Sequence, residues 1–182
     1  LNKKNIILES AAGKLSATLN MDESISVNMG RVKETWIDIP LSKKMDTKNI
    51  PINIKNFSKG FAVNLGNPHI VFFGNNIDHL DLTNIGPKIE NHNYFPNKIN
   101  VEFIEIKNKK KIKMRVWERG VGETFACGSG ACAAVYAGFK KKLISNNCEV
   151  IVKKGSLFIE SLKNGIIMKG PAEISYYGDI VL

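Results

Sequence analysis

The chain has 182 residues, 43% hydrophobic and 24% charged, enough for one good core or for one domain with part of another. No apolar stretch reaches the length of a membrane span and no basic-then-apolar leader opens the sequence, so a membrane is not expected as a partner. The formal charge of +9 invites a nucleic-acid reading, but it sits in lysine runs (Lys3-Lys4, Lys43-Lys44, Lys109-Lys110-Lys111, Lys140-Lys141-Lys142, Lys153-Lys154) beside Asn, Ser or Gly. Those runs read as solvated turns and helix ends. Without arginines and interleaved aromatics they are not a nucleic-acid surface, although the same field favours acidic small molecules.

Three cysteines, Cys127, Cys132 and Cys148, make no secreted disulfide framework, so free thiols in a reducing, cytoplasmic compartment are expected. A chain that opens on Leu1 rather than Met reads as a piece of a longer one.

Taken in order, most segments read as short strands. Asn5 to Glu9, Lys14 to Asn20 and Ser24 to Asn28 are brief apolar runs separated by Ala-Gly and Asp-Glu. Phe61 to Leu65 and His69 to Phe73 flank the Gly66-Asn67-Pro68 turn. A short helix is expected to start at Gly86-Pro87, because Pro suits a first turn. Asn100 to Ile106 places Val101 and Phe103 on one side against Glu102, Ile104 and Ile106. Lys111 to Trp117 places Ile112, Met114 and Val116 against Lys113, Arg115 and Trp117.

The spacing predicts one longer helix over 129–142, opening with glycines and Ser129 and ending in lysines that suit the negative end of the dipole. Cys132 falls inside it, and Cys148 in or before an apolar strand, so both read as core. Leu157 to Ile159 and Ile166 to Met168 bracket Lys163-Asn164-Gly165, a hairpin signal. Many strands around one or two helices make an α+β fold.

The chemistry concentrates in Glu118-Arg119-Gly120-Val121-Gly122-Glu123-Thr124-Phe125-Ala126-Cys127-Gly128-Ser129-Gly130. Cys127 stands where the helix starts, among unpaired N–H groups and partial positive charge, which favours a more acidic thiol. Gly128 and Gly130 allow a substrate carboxylate close to the backbone. Arg119 can grip a carboxylate bidentately. His69, on the Gly66-Asn67-Pro68 turn, is a candidate to polarise a neighbouring thiol or accept its proton, the usual Cys–His arrangement. Each of these taken alone has a plainer reading as core, cap or turn; their density argues for a site.

Other sets fail. Gly120-Val121-Gly122 lacks the dinucleotide fingerprint and no phosphate loop follows. Cys127 with Cys132 lacks a second pair for zinc, and Asp78, His79 and Asp81 read as a surface loop. No metal and no cofactor are expected.

The run Glu118-Arg119-Gly120-x-Gly122-Glu123-Thr124-x-Ala126-Cys127-Gly128-Ser129-Gly130-Ala131-Cys132-Ala133 closely resembles the C-terminal signature of the diaminopimelate epimerases. Asn28-Met29-Gly30, Gly66-Asn67-Pro68-His69, Gly86-Pro87-x-Ile89-Glu90-x-His92, Phe95-Pro96-x-x-x-Asn100-Val101 and Gly170-Pro171-Ala172 occur in that family's order. The resemblance implies two similar α+β lobes, each a curved, mostly antiparallel sheet wrapped around a central helix. It assigns 1–28 to a remnant of the first lobe, 29–172 to the second, and 173–182 to a segment returning to the first.

It further implies cofactor-independent conversion of LL- to meso-diaminopimelate by two cysteines facing the α-carbon, in lysine and cell-wall precursor synthesis. Cys127 would be the second acid/base, with Glu118 and His69 tuning the thiols. Asn67, Asn100 and Arg119 would hold the distal amino-acid end, and Glu118, Gly128 and Ser129 would line the binding site. The complete form is a candidate homodimer.

The family's first cysteine, in a Cys-Gly-Asn-Gly motif, has no counterpart in this sequence, so this chain alone is expected to be inactive. The alternatives are a proline racemase-like or phenazine-synthesis-like isomerase, or a non-catalytic binding half-domain.

Overall fold

A computed structural model describes residues 4–10, 13–174 and 176–180. Lys3 of the first lysine run and the two last residues lie outside the described residues. The strands are β1 (Asn5–Ser10), β2 (Gly13–Leu19), β3 (Ile25–Asn28), β4 (Phe61–Asn64), β5 (Pro68–Phe73), β6 (Asn100–Asn108), β7 (Lys111–Glu118), β8 (Gly122–Thr124), β9 (Asn147–Val152), β10 (Gly155–Leu162) and β11 (Gly165–Gly170). Two α-helices accompany them, α1 (Leu82–Glu90) and α2 (Gly128–Lys140).

All strands join one sheet in the order β1-β2-β3-β11-β10-β9-β7-β6-β5-β4, with β8 pairing β7. Pairing is antiparallel except for β5 with β6 and β7 with β9. The expected hairpin forms between β10 and β11 with Leu162 opposite Gly165, so Lys163 and Asn164 make the two-residue loop.

Side-chain parity divides the core between the two faces of the sheet. Phe61, Val63, Val71, Phe73, Ile104, Ile112 and Met114 pack on Ala131, Cys132, Ala134 and Val135 of α2, joined by Cys148, Val150, Ile159 and Ile166 from β9 to β11. The sheet therefore curls round α2, whose alanines let the strands approach closely. Ala62, Ile70, Phe72, Val101 and Phe103 point the other way, against Leu82 and Ile89 of α1 and the loop residues Ile39, Leu41 and Ile50. Both Cys132 and Cys148 are core residues. Among the described residues no helix is long and apolar enough to cross a membrane.

Two helix boundaries differ from expectation. The first helix begins at Leu82, not at Gly86-Pro87, because the Asp81 carboxylate accepts the Asn84 N–H and caps it; Pro87 falls near the end. Helix α2 stops at Lys140 rather than Lys142. Lys142 takes a left-handed φ of 59°, and the N–H groups of Lys142 and Leu143 return to the carbonyls of Phe139 and Gly138. That is the Schellman closure, with lysine where glycine is usual.

Candidate active site

Three strand ends meet the start of α2. β5 and β6 are parallel and begin there, with His69 beside Asn100 and Val71 beside Glu102. β7 runs antiparallel to β6 and ends there at Glu118. Asn100, Glu102 and Ile104 share the face toward α2, as do His69, Val71 and Phe73, so the polar residues at the strand starts crowd around Cys127.

Cys127 is the N-cap of α2, with φ −137° and ψ 112°, and is 6% exposed. The two glycines beside it are forced by close approach. A Cβ on Gly128 would stand 2.7 Å from Met168 Sδ, and one on Gly130 would stand 2.7 Å from Glu102 Oε1 and 3.3 Å from Cys127 Sγ. Ser129 between them presents its hydroxyl 3.5 Å from Cys127 Sγ and accepts a hydrogen bond from Asn67 Nδ2 at 3.3 Å. Asn67 is placed by its turn, in which Gly66 has φ 104°.

His69 is fully buried. Its Nε2 lies 2.9 Å from Asn67 Oδ1 and its Nδ1 lies 2.6 Å from Glu102 Oε1. Both ring nitrogens are thus engaged by Glu102 and Asn67, and neither bonds the thiol directly. A line of contacts joins the imidazole to the thiol through Asn67 and Ser129. Glu102 is also fully buried. Its Oε2 has no hydrogen-bond partner among the described residues, and burial raises its pKa against the opposing pull of His69.

The thiol itself is not acidified. Burial, and then the charge of Glu102, push Cys127 up to about 12, against the Ser129 hydroxyl and the Gly130 N–H, which favour the thiolate. The helix start alone would have lowered it; burial and the neighbouring carboxylate win.

The Glu118–Gly122 turn carries the remaining candidates. Gly120 and Gly122 have φ 76° and 112°, which side chains with a Cβ rarely adopt. Glu118 accepts a hydrogen bond from the Thr124 hydroxyl across the turn. The Arg119 N–H donates to Asn100 Oδ1 at 2.9 Å, and Asn100 Nδ2 donates to Pro68 O at 2.8 Å. In this structure Asn100, 4% exposed, ties β5 to the turn. The Arg119 side chain is exposed and Nη1 donates to Asn97 O at 3.1 Å.

Two carboxylates that have no role in the sequence reading shape the site. Glu90, on α1, accepts the Gly120 N–H at 2.8 Å and the Trp117 indole N–H at 2.7 Å, fixing the turn. Glu102 holds His69. The sequence signal for Glu102 is its parity: a carboxylate on the same strand face as Asn100 and Ile104, between Val101 and Phe103. Asp78, His79 and Asp81 lie apart from this cluster: Asp78 pairs with Lys113 and Asp81 caps α1. Among the described residues no group of three His, Cys, Asp or Glu is placed to hold a metal. A cavity of about 540 Å³ lies elsewhere, on β3 and β9 to β11, lined by Phe158, Lys169 and Glu160 among others, and shares none of these residues.

The arrangement offers a buried sulfur at a helix start, N–H donors beside it, and a rim open to solvent at Arg119, Gly120, Phe125 and Ala126. Such a sulfur can give a proton to, or take one from, a carbon held against the helix start.

Comparison with known proteins agrees in fold and in sequence. A phenazine biosynthesis protein of the PhzF family from Enterococcus faecalis superposes with a TM-score of 0.65 at 14% identity, over 100% of this chain and 66% of that one. A hydroxyproline epimerase from Agrobacterium vitis gives 0.59 at 8% identity, over 94% and 58%. These likenesses show the shared fold.

In sequence, a protein named diaminopimelate epimerase from Zymomonas mobilis is 40% identical over 97% of this chain and 65% of its own length. One from Pelagibacter ubique is 43% identical over 93% and 64%. One from the Wolbachia of Brugia malayi is 45% identical over 81% and 57%. The chain thus spans just under two thirds of the length of these relatives. The family model described as diaminopimelate epimerase matches residues 61–175, which include β4 to β11, both helices and the Cys127 cluster. The chain belongs to the diaminopimelate epimerase family.

Proposed function

We propose that this chain supplies the Cys127 half of a two-thiol epimerase that interconverts LL- and meso-diaminopimelate. The observation that carries the reading is the placement of Cys127. It is a buried thiol capping α2, backed by Ser129, Asn67, His69 and Glu102 and fronted by the Glu118–Gly122 turn. Relatives at 40% identity and above, against fold neighbours at 14% and below, favour diaminopimelate over proline or a phenazine precursor.

An α-hydrogen beside a carboxylate is a poor acid, so the negative charge left on the α-carbon and its carboxylate must be met by fixed donors. The first N–H groups of α2, at Gly128 and Ser129, have no intrahelical acceptor and suit that carboxylate. In one direction a thiolate on the far face takes the α-proton, the C–H pair stays on carbon, and the Cys127 S–H delivers a new proton to the near face. One proton leaves and one arrives, configuration inverts, and the two sulfurs exchange protonation states; the reverse direction starts from the Cys127 thiolate. A thiol pushed up to about 12 rests in the acid form that the first direction needs.

Arg119, Asn67 and Asn100 are assigned to the distal amino-acid end of the substrate, and Glu118 to the rim. Arg119 is exposed and free to turn from Asn97 O toward a carboxylate. Asn100 acts by setting the Arg119 backbone.

Cys132 and Cys148 lie in the core, so the opposing thiolate must come from outside this chain's described residues. The same reading assigns 1–28 and 173–182 to a first lobe and 29–172 to the second. Its support is the apolar surface left on those segments: Ile7, Leu8, Leu19, Met21, Ile174, Tyr176, Tyr177 and Ile180 are all exposed. A cytoplasmic location and a homodimer of the complete protein rest on the free thiols and the family resemblance; sedimentation tests the latter.

The test is α-proton exchange and epimerisation of LL-diaminopimelate in D2O, followed by NMR. In the complete protein, Cys127→Ala lowers the rate at least about a thousandfold. The 182-residue chain alone gives no exchange. Retained activity in the first case, or normal activity in the second, overturns the reading.

A further inference from the structure

We propose that Arg115 and Glu123 form a positioning pair for the reaction: seated on the carbonyls ahead of α1, the pair braces β8 from behind and so fixes Thr124, Glu118 and Cys127 at the reacting end of the site. The inference rests on the reading of Cys127 as an acid/base, and it gives a part to two residues that this chemistry does not touch.

Strand β7 changes partners along one edge. Lys111 to Lys113 pair with β9, and Val116 to Glu118 pair with β8, which has only three residues. Met114 and Arg115 fall between the two. Side chains alternate across a strand, so Val116, Glu118 and Thr124 point to the α2 face, while Arg115, Trp117 and Glu123 point to the α1 face.

Arg115 and Glu123 are 19% and 22% exposed. Arg115 Nε and Nη2 donate to the two carboxylate oxygens of Glu123 at 2.9 and 3.0 Å. Nη1 donates to Ile77 O at 2.6 Å, to Leu80 O at 2.8 Å and to Asp78 O at 3.2 Å. Those carbonyls belong to a 3-10 turn (Ile77–His79) and to Leu80, just ahead of the Asp81 cap of α1. Lys113, on the same face of β7, adds an ion pair to Asp78 at 2.5 Å. A planar fork that meets a carboxylate with two bonds, while its third nitrogen meets carbonyls, is a geometry that lysine cannot reproduce.

What the pair holds is the approach to the sulfur. From Glu123 the chain runs through Thr124, whose hydroxyl donates to Glu118, and on to Cys127. Beyond the β7 pairing, the Lys153 N–H donates to Phe125 O at 3.1 Å; Phe125 and Ala126 are exposed, so packing adds little.

The other arm of the turn has its own brace, Glu90, which holds Gly120 next to Arg119. The two braces divide the work. Glu90 serves the arm assigned to the distal end of the substrate, whereas Arg115 and Glu123 serve the arm next to the reacting carbon. Loosening the first weakens binding. Loosening the second displaces the groups that meet the transition state, where a shift of about 1 Å can cost on the order of a hundredfold.

The experiment compares the complete protein with its Arg115→Lys, Glu123→Gln and double variants, by epimerisation of LL-diaminopimelate and by hydrogen exchange read with peptide mass spectrometry. Each single variant should lower kcat about tenfold or more and move KM by less than about threefold, the opposite split from Glu90→Ala. The double variant should lose no more than the worse single one, because both break one contact. In each variant the 122–127 peptide should exchange at least about tenfold faster, with the α2 peptide unchanged.

An unchanged kcat in variants that fold overturns the proposal, as does a rise in KM alone. So does a double variant whose loss is the product of the two single losses. A wild-type 122–127 peptide that exchanges as fast as an unstructured chain overturns it without any substitution, so the proposal can fail even where a variant does not fold. Exchange uses no substrate, and the epimerase reading is decided by Cys127→Ala activity, so the two failures are separable.

Discussion

Holding thiols protonated in the folded state makes alkaline pH a specific threat to this chain. Cys127 and Cys148 are pushed from an ordinary 9.0 up to about 12 and about 11, and Cys132 is raised as well, each chiefly by burial. Above pH 9 the unfolded chain sheds these protons while the folded chain keeps them. Folding stability is therefore fully present below pH 9 and falls as pH rises through the folded values. Each pH unit across that window costs about 1.4 kcal/mol per thiol.

Raising the pH from 8 to 10.5 should thus remove about 2 kcal/mol through Cys127 and about as much through Cys148, a large part of the ~5–15 kcal/mol typical of a domain. The assay is urea unfolding at pH 8 and pH 10.5 with a phosphine reductant, comparing wild type with Cys127→Ala. Lysines and tyrosines titrate alike in both proteins, so the difference between the two losses isolates the thiol. The variant should lose about 2 kcal/mol less than the wild type. An equal loss in both would mean that the folded chain ionises Cys127 as readily as the unfolded one, and the picture of a buried acid would be wrong.

Other substitutions probe how the site is held. Gly86→Ala would set a Cβ 2.3 Å from the Trp117 ring; despite a helix-propensity gain of about 1 kcal/mol it should destabilise by roughly 1–3 kcal/mol, read from urea midpoints. Gly130→Ala should cost more than Gly128→Ala in the same assay. The first presses on Glu102 Oε1, held by His69, whereas the second meets only the end of the flexible Met168 side chain. Glu90→Ala removes the acceptor of both the Gly120 N–H and the Trp117 indole. It should cost about 1–3 kcal/mol, shift tryptophan emission to the red, and in the complete epimerase raise KM more than it lowers kcat.

The strands are readable from sequence because alternation survives wherever one face is buried: β6 and β7 follow the apolar spacing closely, and the Lys163-Asn164 hairpin follows its turn residues. Helix ends are not, because they depend on single caps. Asp81 caps α1 at Leu82, one turn ahead of the Gly86-Pro87 pair that resembles a helix start, and Lys142 ends α2 in a conformation that its side chain does not advertise. The glycines of Gly120-Val121-Gly122 and Gly128-Ser129-Gly130 mark the site in sequence, since their need for positive φ or close approach is local. Their partners are hidden. Met168 comes to Gly128 from β11 and Glu102 comes to Gly130 from β6, and no local pattern encodes either meeting.

The same logic explains why the sequence reveals the importance of the thiol and misleads on its acidity. A helix start lowers a thiol's pKa through groups adjacent in sequence, and those are visible in Cys127-Gly128-Ser129-Gly130. What raises it is tertiary: burial under the packed strands and a carboxylate delivered by β6. A protein selected only for a reactive nucleophile would gain by removing that carboxylate. One that must hand a proton to carbon, and take it back in the reverse direction, needs a sulfur whose acid form is stable between turnovers.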